Sequence, residues 1–115
     1  MSDCIFCKIA SGEMKSKIVY SDDDVVAFED ISPQAPNHFV VIPREHVEAV
    51  ADIPADKRDR VVSGVFGAVS RLATEKGLSD KGYRVVLNQG SDAGQVVPHL
   101  HFHLLSGRGF SWPPG

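Results

Sequence analysis

No apolar run in the 115 residues reaches transmembrane length, and the opening segment Met1-Ser2-Asp3-Cys4-Ile5-Phe6-Cys7-Lys8 has neither a basic stretch nor a long apolar core. A cytoplasmic protein without membrane partners is therefore expected. Basic residues are also sparse: 12 Lys and Arg stand against 15 Asp and Glu, for a net charge of −3, and they form no cluster. That excludes a surface built to track the phosphates of a nucleic-acid polymer. A single anionic nucleotide is not excluded, because one cleft can be positive in an acidic protein. Only two cysteines occur, Cys4 and Cys7, too few for a disulfide framework. In a reducing compartment their Cys-x-x-Cys spacing points instead to metal or redox chemistry. There is no internal repeat, linker or low-complexity tract, so one domain over residues 1–115 is expected, with 43% hydrophobic residues to build its core.

What is present divides into recognisable elements. Asp3 is placed to cap a short helix over residues 4–10, with Gly12 as its stop. Ile18-Val19-Tyr20 and Val25-Val26-Ala27-Phe28 flank Ser21-Asp22-Asp23-Asp24 and read as a hairpin. Two prolines make residues 31–37 a loop, and His38-Phe39-Val40-Val41-Ile42 reads as a third strand ended by Pro43. From about Pro54 to Lys76, Val61, Val62, Val65, Phe66, Val69, Leu72 and Ala73 recur at helical steps, with Gly77 beyond the end. Gly64 and Gly67 lower that helix's intrinsic propensity. Residues 83–88 form a fourth strand and 89–95 a glycine-bearing loop. The order α, β, β, β, long α, β, β favours an α+β fold with an antiparallel sheet over a doubly wound parallel one.

The last strand carries the chemistry. His99, His101 and His103 alternate with Leu100, Phe102 and Leu104, so a strand places three imidazoles on one face and an apolar row on the other. A single strand histidine is more often structural than functional; three together are not explained that way. Two readings stay open at this level: alternating histidines can supply ligands to a metal, and a neutral imidazole is a good nucleophile toward phosphorus and acyl centres. For the cysteine pair, a redox role lacks the preceding βαβ unit, which leaves buried free thiols or metal ligands.

The wider pattern, Gly94-Gln95-Val96-Val97-Pro98-His99-Leu100-His101-Phe102-His103-Leu104-Leu105-Ser106-Gly107-Arg108, resembles the signature of the histidine triad (HIT) superfamily. The resemblance extends to Asp30-Ile31-Ser32-Pro33-Gln34-Ala35-Pro36-Asn37-His38, to Val41-Ile42-Pro43-Arg44-Glu45-His46, to residues 82–88 and to Trp112-Pro113-Pro114-Gly115. It is similar to the Hint branch, the purine nucleoside phosphoramidases. This implies a five-stranded antiparallel sheet with one long and one short helix, assembled as a homodimer, and hydrolysis at the α-phosphorus of purine nucleoside phosphoramidates or acyl-nucleotides. His101 is the implied nucleophile, oriented by the carbonyl of His99, and His103 a donor to phosphate. Asn88 and Gln95 would bind phosphate or position the leaving group. Backbone around Gly94, with Val96 and Val97, would approach the phosphate. Asp30 would hold the ribose, and Ile5, Phe6, Ile9, Phe28 and Ile31 the base, although ordinary core packing also accounts for such apolar residues. Trp112 would reach the partner's site.

Members with a similar Cys-Ile-Phe-Cys segment carry a structural zinc, which implies Cys4, Cys7, His46 and His99 as Zn2+ ligands. His38 is read as structural. Val96 departs from the family's usual polar residue, Pro98 from an aromatic, Ser106 from a glycine and Ser111 from a histidine. A nucleotide- and zinc-binding interaction module with little catalysis is thus a second reading, and a dinucleoside polyphosphate hydrolase or nucleotidyl transferase a third.

Overall fold

The computed structural model describes residues 3–115. In chain order it contains α1 (Ile5–Ser11), β1 (Ile18–Ser21), β2 (Val25–Glu29), β3 (Asn37–Pro43), α2 (Arg58–Glu75), β4 (Tyr83–Leu87) and β5 (Phe102–Ser106). The strands form one antiparallel sheet in the order β1-β2-β3-β5-β4. This is the expected α+β arrangement. Among the described residues no helix is long and apolar enough to cross a membrane.

Strand alternation assigns each face its helix. Val25, Ala27, Phe39, Val41 and Leu104 point to one side and bury against Val65, Ala68, Val69, Leu72 and Ala73 of α2. Val26, Phe28, Val40 and Ile42 point to the other and meet Ile9 of α1, with Phe6 and Ala10 at the margin. The central strand β3 is apolar on both faces for this reason. Gly64 allows α2 its approach to the sheet, because a Cβ there would lie 3.1 Å from Cγ1 of Val25.

Apart from one-residue shifts at element ends, three features differ from the sequence reading. Cys4, not Asp3, caps α1: its backbone is extended (φ −77°, ψ 115°) and its Sγ accepts from Cys7 N–H at 3.4 Å. The long helix begins at Arg58, because Pro54 is extended and residues 50–57 contain two short 3-10 turns instead. The last strand begins at Phe102 rather than at His99. Pro98 has no N–H to give to a ladder, His99 N–H closes onto the Val97 carbonyl at 2.8 Å, and Leu100 N–H donates to Val47 at 2.7 Å. The alternation nonetheless survives, since Leu100 packs with Val47, Ile53 and Val61, away from the imidazoles.

Candidate active site and metal cluster

A cavity of about 370 Å³ opens on the α1 side of the sheet. Helix α1 contributes Ile5, Phe6 and Ile9; β2 and the loop after it contribute Phe28, Glu29, Asp30 and Ile31; β3 adds Val40. Asn88 follows β4, Gly94, Val96 and Val97 come from the next loop, and His101 and His103 complete the floor. The volume is within the range of small-ligand sites, about 300–1,000 Å³. Met14, Lys15 and Ser16 also line it, and nothing in the sequence pattern singled them out.

Ring tautomers in this floor are fixed by backbone groups. His101 Nδ1 lies 2.7 Å from the carbonyl of His99, so Nδ1 carries the proton and Nε2 keeps its lone pair. The edge of Phe6 packs on the same ring, with centroids 5.1 Å apart. The second lock is on His38, whose Nδ1 accepts from Gln34 N–H at 3.0 Å. Neutral His38 therefore bears its proton on Nε2 and donates to His103 Nδ1 at 2.8 Å. His103 in turn must carry its own proton on Nε2. Burial lowers the pKa of His38 below 6.5 and so favours the neutral ring, while the Asp30 carboxylate opposes that shift. Burial also lowers His103, reinforced by His101 and His38 and opposed by Asp30.

His38, read from the sequence as structural, is buried and reaches the site through its bond to His103. The available signal was positional, because β3 pairs with β5 and Val40 lies opposite His103, which makes His38 its diagonal same-face neighbour. Asp30 Oδ2 sits 3.4 Å from His38 Nε2 and 3.9 Å from His103 Nδ1, while Oδ1 accepts from Ser32 N–H at 2.8 Å. Asp30, His38 and His103 are close enough together to suggest a cation site. The Gln34 N–H argues against one, because it leaves no lone pair on His38 Nε2.

A different cluster has the opposite chemistry. Sγ of Cys4 and Cys7 and Nδ1 of His46 and His99 all lie within 4.8 Å of one another. His46 and His99 nitrogens are 3.1 Å apart, Cys7 Sγ is 3.2 Å from His46 and 3.6 Å from His99, and Cys4 Sγ is 3.4 Å from His99. A zinc tetrahedron has edges of about 3.3 Å between nitrogens and about 3.5 Å between nitrogen and sulfur, so this donor set fits the ion. His99 Nε2 is 2.8 Å from the Pro43 carbonyl, which fixes the proton there and turns the Nδ1 lone pair toward the sulfurs. Burial lowers the pKa of His99 below 6.5, with the Pro43 bond opposing, so that lone pair is free near neutral pH. Both cysteines are free of disulfide.

One residue expected at the nucleotide is elsewhere. Gln95 does not line the cavity: its Oε1 accepts from Gly90 N–H at 2.9 Å and its Nε2 donates to the carbonyls of Glu48 and Val97, both at 3.2 Å. Its amide braces the loop rather than facing a ligand. Trp112, whose expected place is the partner's site, is 84% exposed and lies outside the cavity formed by its own chain.

An antiparallel α+β sheet with tautomer-locked histidines beside a ligand-sized cavity defines a histidine-based site on a compact scaffold. Residues 11–110 match the HIT domain. The chain is 44% identical over 115 residues to a 14 kDa zinc-binding protein of Zea mays, covering 99% of this chain and 89% of that one. It superposes on a HIT family hydrolase from Legionella pneumophila with a TM-score of 0.93 and 43% identity, over 98% of this chain and all of the other (100%). A histidine triad nucleotide-binding protein from Candida albicans gives 0.83 and 34%, over 98% and 85%. The chain belongs to the HIT family.

Proposed function

We propose that the protein hydrolyses purine nucleoside phosphoramidates or acyl-nucleotides at the α-phosphorus through a nucleotidylated His101. The observation that carries this reading is the 2.7 Å bond from His101 Nδ1 to the His99 carbonyl, which leaves Nε2 as a nucleophile in the cavity. In the first step Nε2 attacks phosphorus as the bond to the leaving group breaks, an acyl group departing with the bonding pair as its carboxylate and an amine taking up a proton from water. The proton on His103 Nε2 steadies a phosphate oxygen, with Asn88 as a second donor, where charge builds in the transition state. In the second step water attacks the same phosphorus, the P–N bond to His101 breaks, and the nucleoside monophosphate leaves.

Asp30 has lone pairs left for ribose hydroxyls, and Ile5, Phe6, Ile9, Phe28 and Ile31 offer the base an apolar slot. Cys4, Cys7, His46 and His99 would hold Zn2+, which when bound supplies a structural cross-link between α1 and the histidine segment. The protein is read as a cytoplasmic homodimer.

The test is turnover of adenosine phosphoramidate by the parent and by His101→Ala, with mass spectrometry of quenched enzyme for the covalent adduct. We expect at least about a thousandfold loss of turnover and no adduct in the variant. Equal turnover would exclude His101 as nucleophile. Tight nucleotide binding without turnover by the parent would favour the binding-module reading, for which the 88% exposed Val96 at the cavity mouth is the motivating feature.

A further inference from the structure

The apolar slot has one cationic edge. The segment between α1 and β1 closes the cavity through Met14, Lys15 and Ser16, and Lys15 is the only Lys or Arg in the lining. Its backbone is held on both sides. Met14 N–H donates to the Lys8 carbonyl at 3.1 Å, Ile18 N–H to that of Ser16 at 3.1 Å, and Glu29 N–H to that of Lys17 at 3.0 Å. This last bond ties the segment that follows Lys15 to the end of β2, next to Asp30. Neighbouring Lys17 pairs with Glu29 at 3.9 Å, whereas no ion pair among the described residues involves Lys15.

We propose that Lys15 determines base choice, selecting 6-oxopurines over 6-aminopurines. The inference rests on the nucleotide reading above, which puts phosphate at His101 and His103, ribose at Asp30, and so the base toward α1 and this segment. An ammonium has three donors and no acceptor. Guanine and hypoxanthine present two adjacent acceptors, O6 and N7, while adenine presents an amino donor beside N7. The first edge pairs with Lys15; the second sets donor against donor, so the exposed ammonium stays with solvent and adenine gains nothing from it. A site that hydrogen-bonds its ligand discriminates strongly against an analogue lacking the matching group.

The experiment is calorimetric binding of GMP, IMP and AMP to the full-length parent and to Lys15→Ala. The parent should bind GMP and IMP about tenfold more tightly than AMP, and the variant should bring all three within about twofold by weakening the oxopurines alone. AMP affinity that is unchanged in the variant reports that the slot is intact. Equal binding of all three by the parent, or a preference that survives in Lys15→Ala, overturns the role of Lys15 but not the nucleotide site. IMP binding like AMP while GMP is preferred also overturns it, because recognition would then run through the 2-amino group. Absence of binding by any of the three overturns the nucleotide reading itself.

Discussion

Two backbone groups decide what the histidines can do. The His99 carbonyl sets His101, and the Gln34 N–H sets His38 and, through it, His103. Asp30 is the only anionic influence on this second pair, and it holds both rings above where burial alone would put them. Removing that charge by Asp30→Asn should therefore lower the His103 titration midpoint further below 6.5, which NMR of the imidazole C–H resonances would measure. A rise, or no change, would show that the carboxylate is decoupled from the ring. The stability consequence has a definite sign. With a folded value below the unfolded 6.5, the unfolded chain binds more protons between the two, so His103 costs the fold stability as pH falls through that window. Asp30→Asn widens the window on its acid side.

At the scale of elements, α1 serves both clusters. Cys4 and Cys7 face His46 and His99, while Ile5, Phe6 and Ile9 of the same helix wall the cavity. A helix of seven residues is not stable alone, so its hold on the sheet has to come from contacts. They include Phe6 against Phe28 at 5.5 Å and His101 at 5.1 Å, Ile9 in the core, Arg44 Nη1 donating to the Ala10 carbonyl at 2.8 Å, and the cysteine end. Chelation of the proposed zinc, or Cys7→Ser, should speed amide exchange across residues 5–11 by at least about tenfold and weaken purine monophosphate binding in parallel. Unchanged exchange would mean that Phe6 and Ile9 suffice to fix the helix. The sequence made these elements legible where period and burial agree: β3 is apolar throughout, and α2 repeats Val61, Val65, Ala68, Val69 and Leu72. It was less legible where hydrogen bonds override pattern, as at residues 99–101, where the chain bonds to Val97 and Val47 instead of to a strand. Gln95 is the motif residue that lies outside the cavity, because its amide is consumed by Gly90, Glu48 and Val97. Motif spacing does not encode such local competition. The contact of His38 with His103 and the place of Lys15 in the lining were not legible, because both depend on which strand or loop lies opposite.

The whole molecule leaves one flank open. On α2, Val62 and Phe66 are 43% and 49% exposed one turn apart, and on edge strand β4, Tyr83 and Leu87 are 42% and 37% exposed. Strand β4 pairs only with β5, so its outer N–H and C=O groups have no ladder partner in this chain. A two-fold axis through that edge would pair β4 with its copy and bury both apolar sets isologously. The C-terminal segment is fastened to the same flank. Arg84 of β4 donates to the Ser111 carbonyl at 3.1 Å, and Phe110 lies between Arg84 and Arg108, with guanidinium carbons 4.9 and 4.1 Å from its ring centroid. Trp112 is thereby presented outward at the proposed interface, consistent with its absence from its own cavity. Sedimentation equilibrium should give twice the 12.5 kDa chain mass for the parent, and Phe66→Glu should shift it to the monomer by burying a carboxylate without a partner. Circular dichroism of the variant checks that α2 and the sheet persist. A parent sedimenting at 12.5 kDa would remove the dimer and leave Trp112 without a cavity to serve.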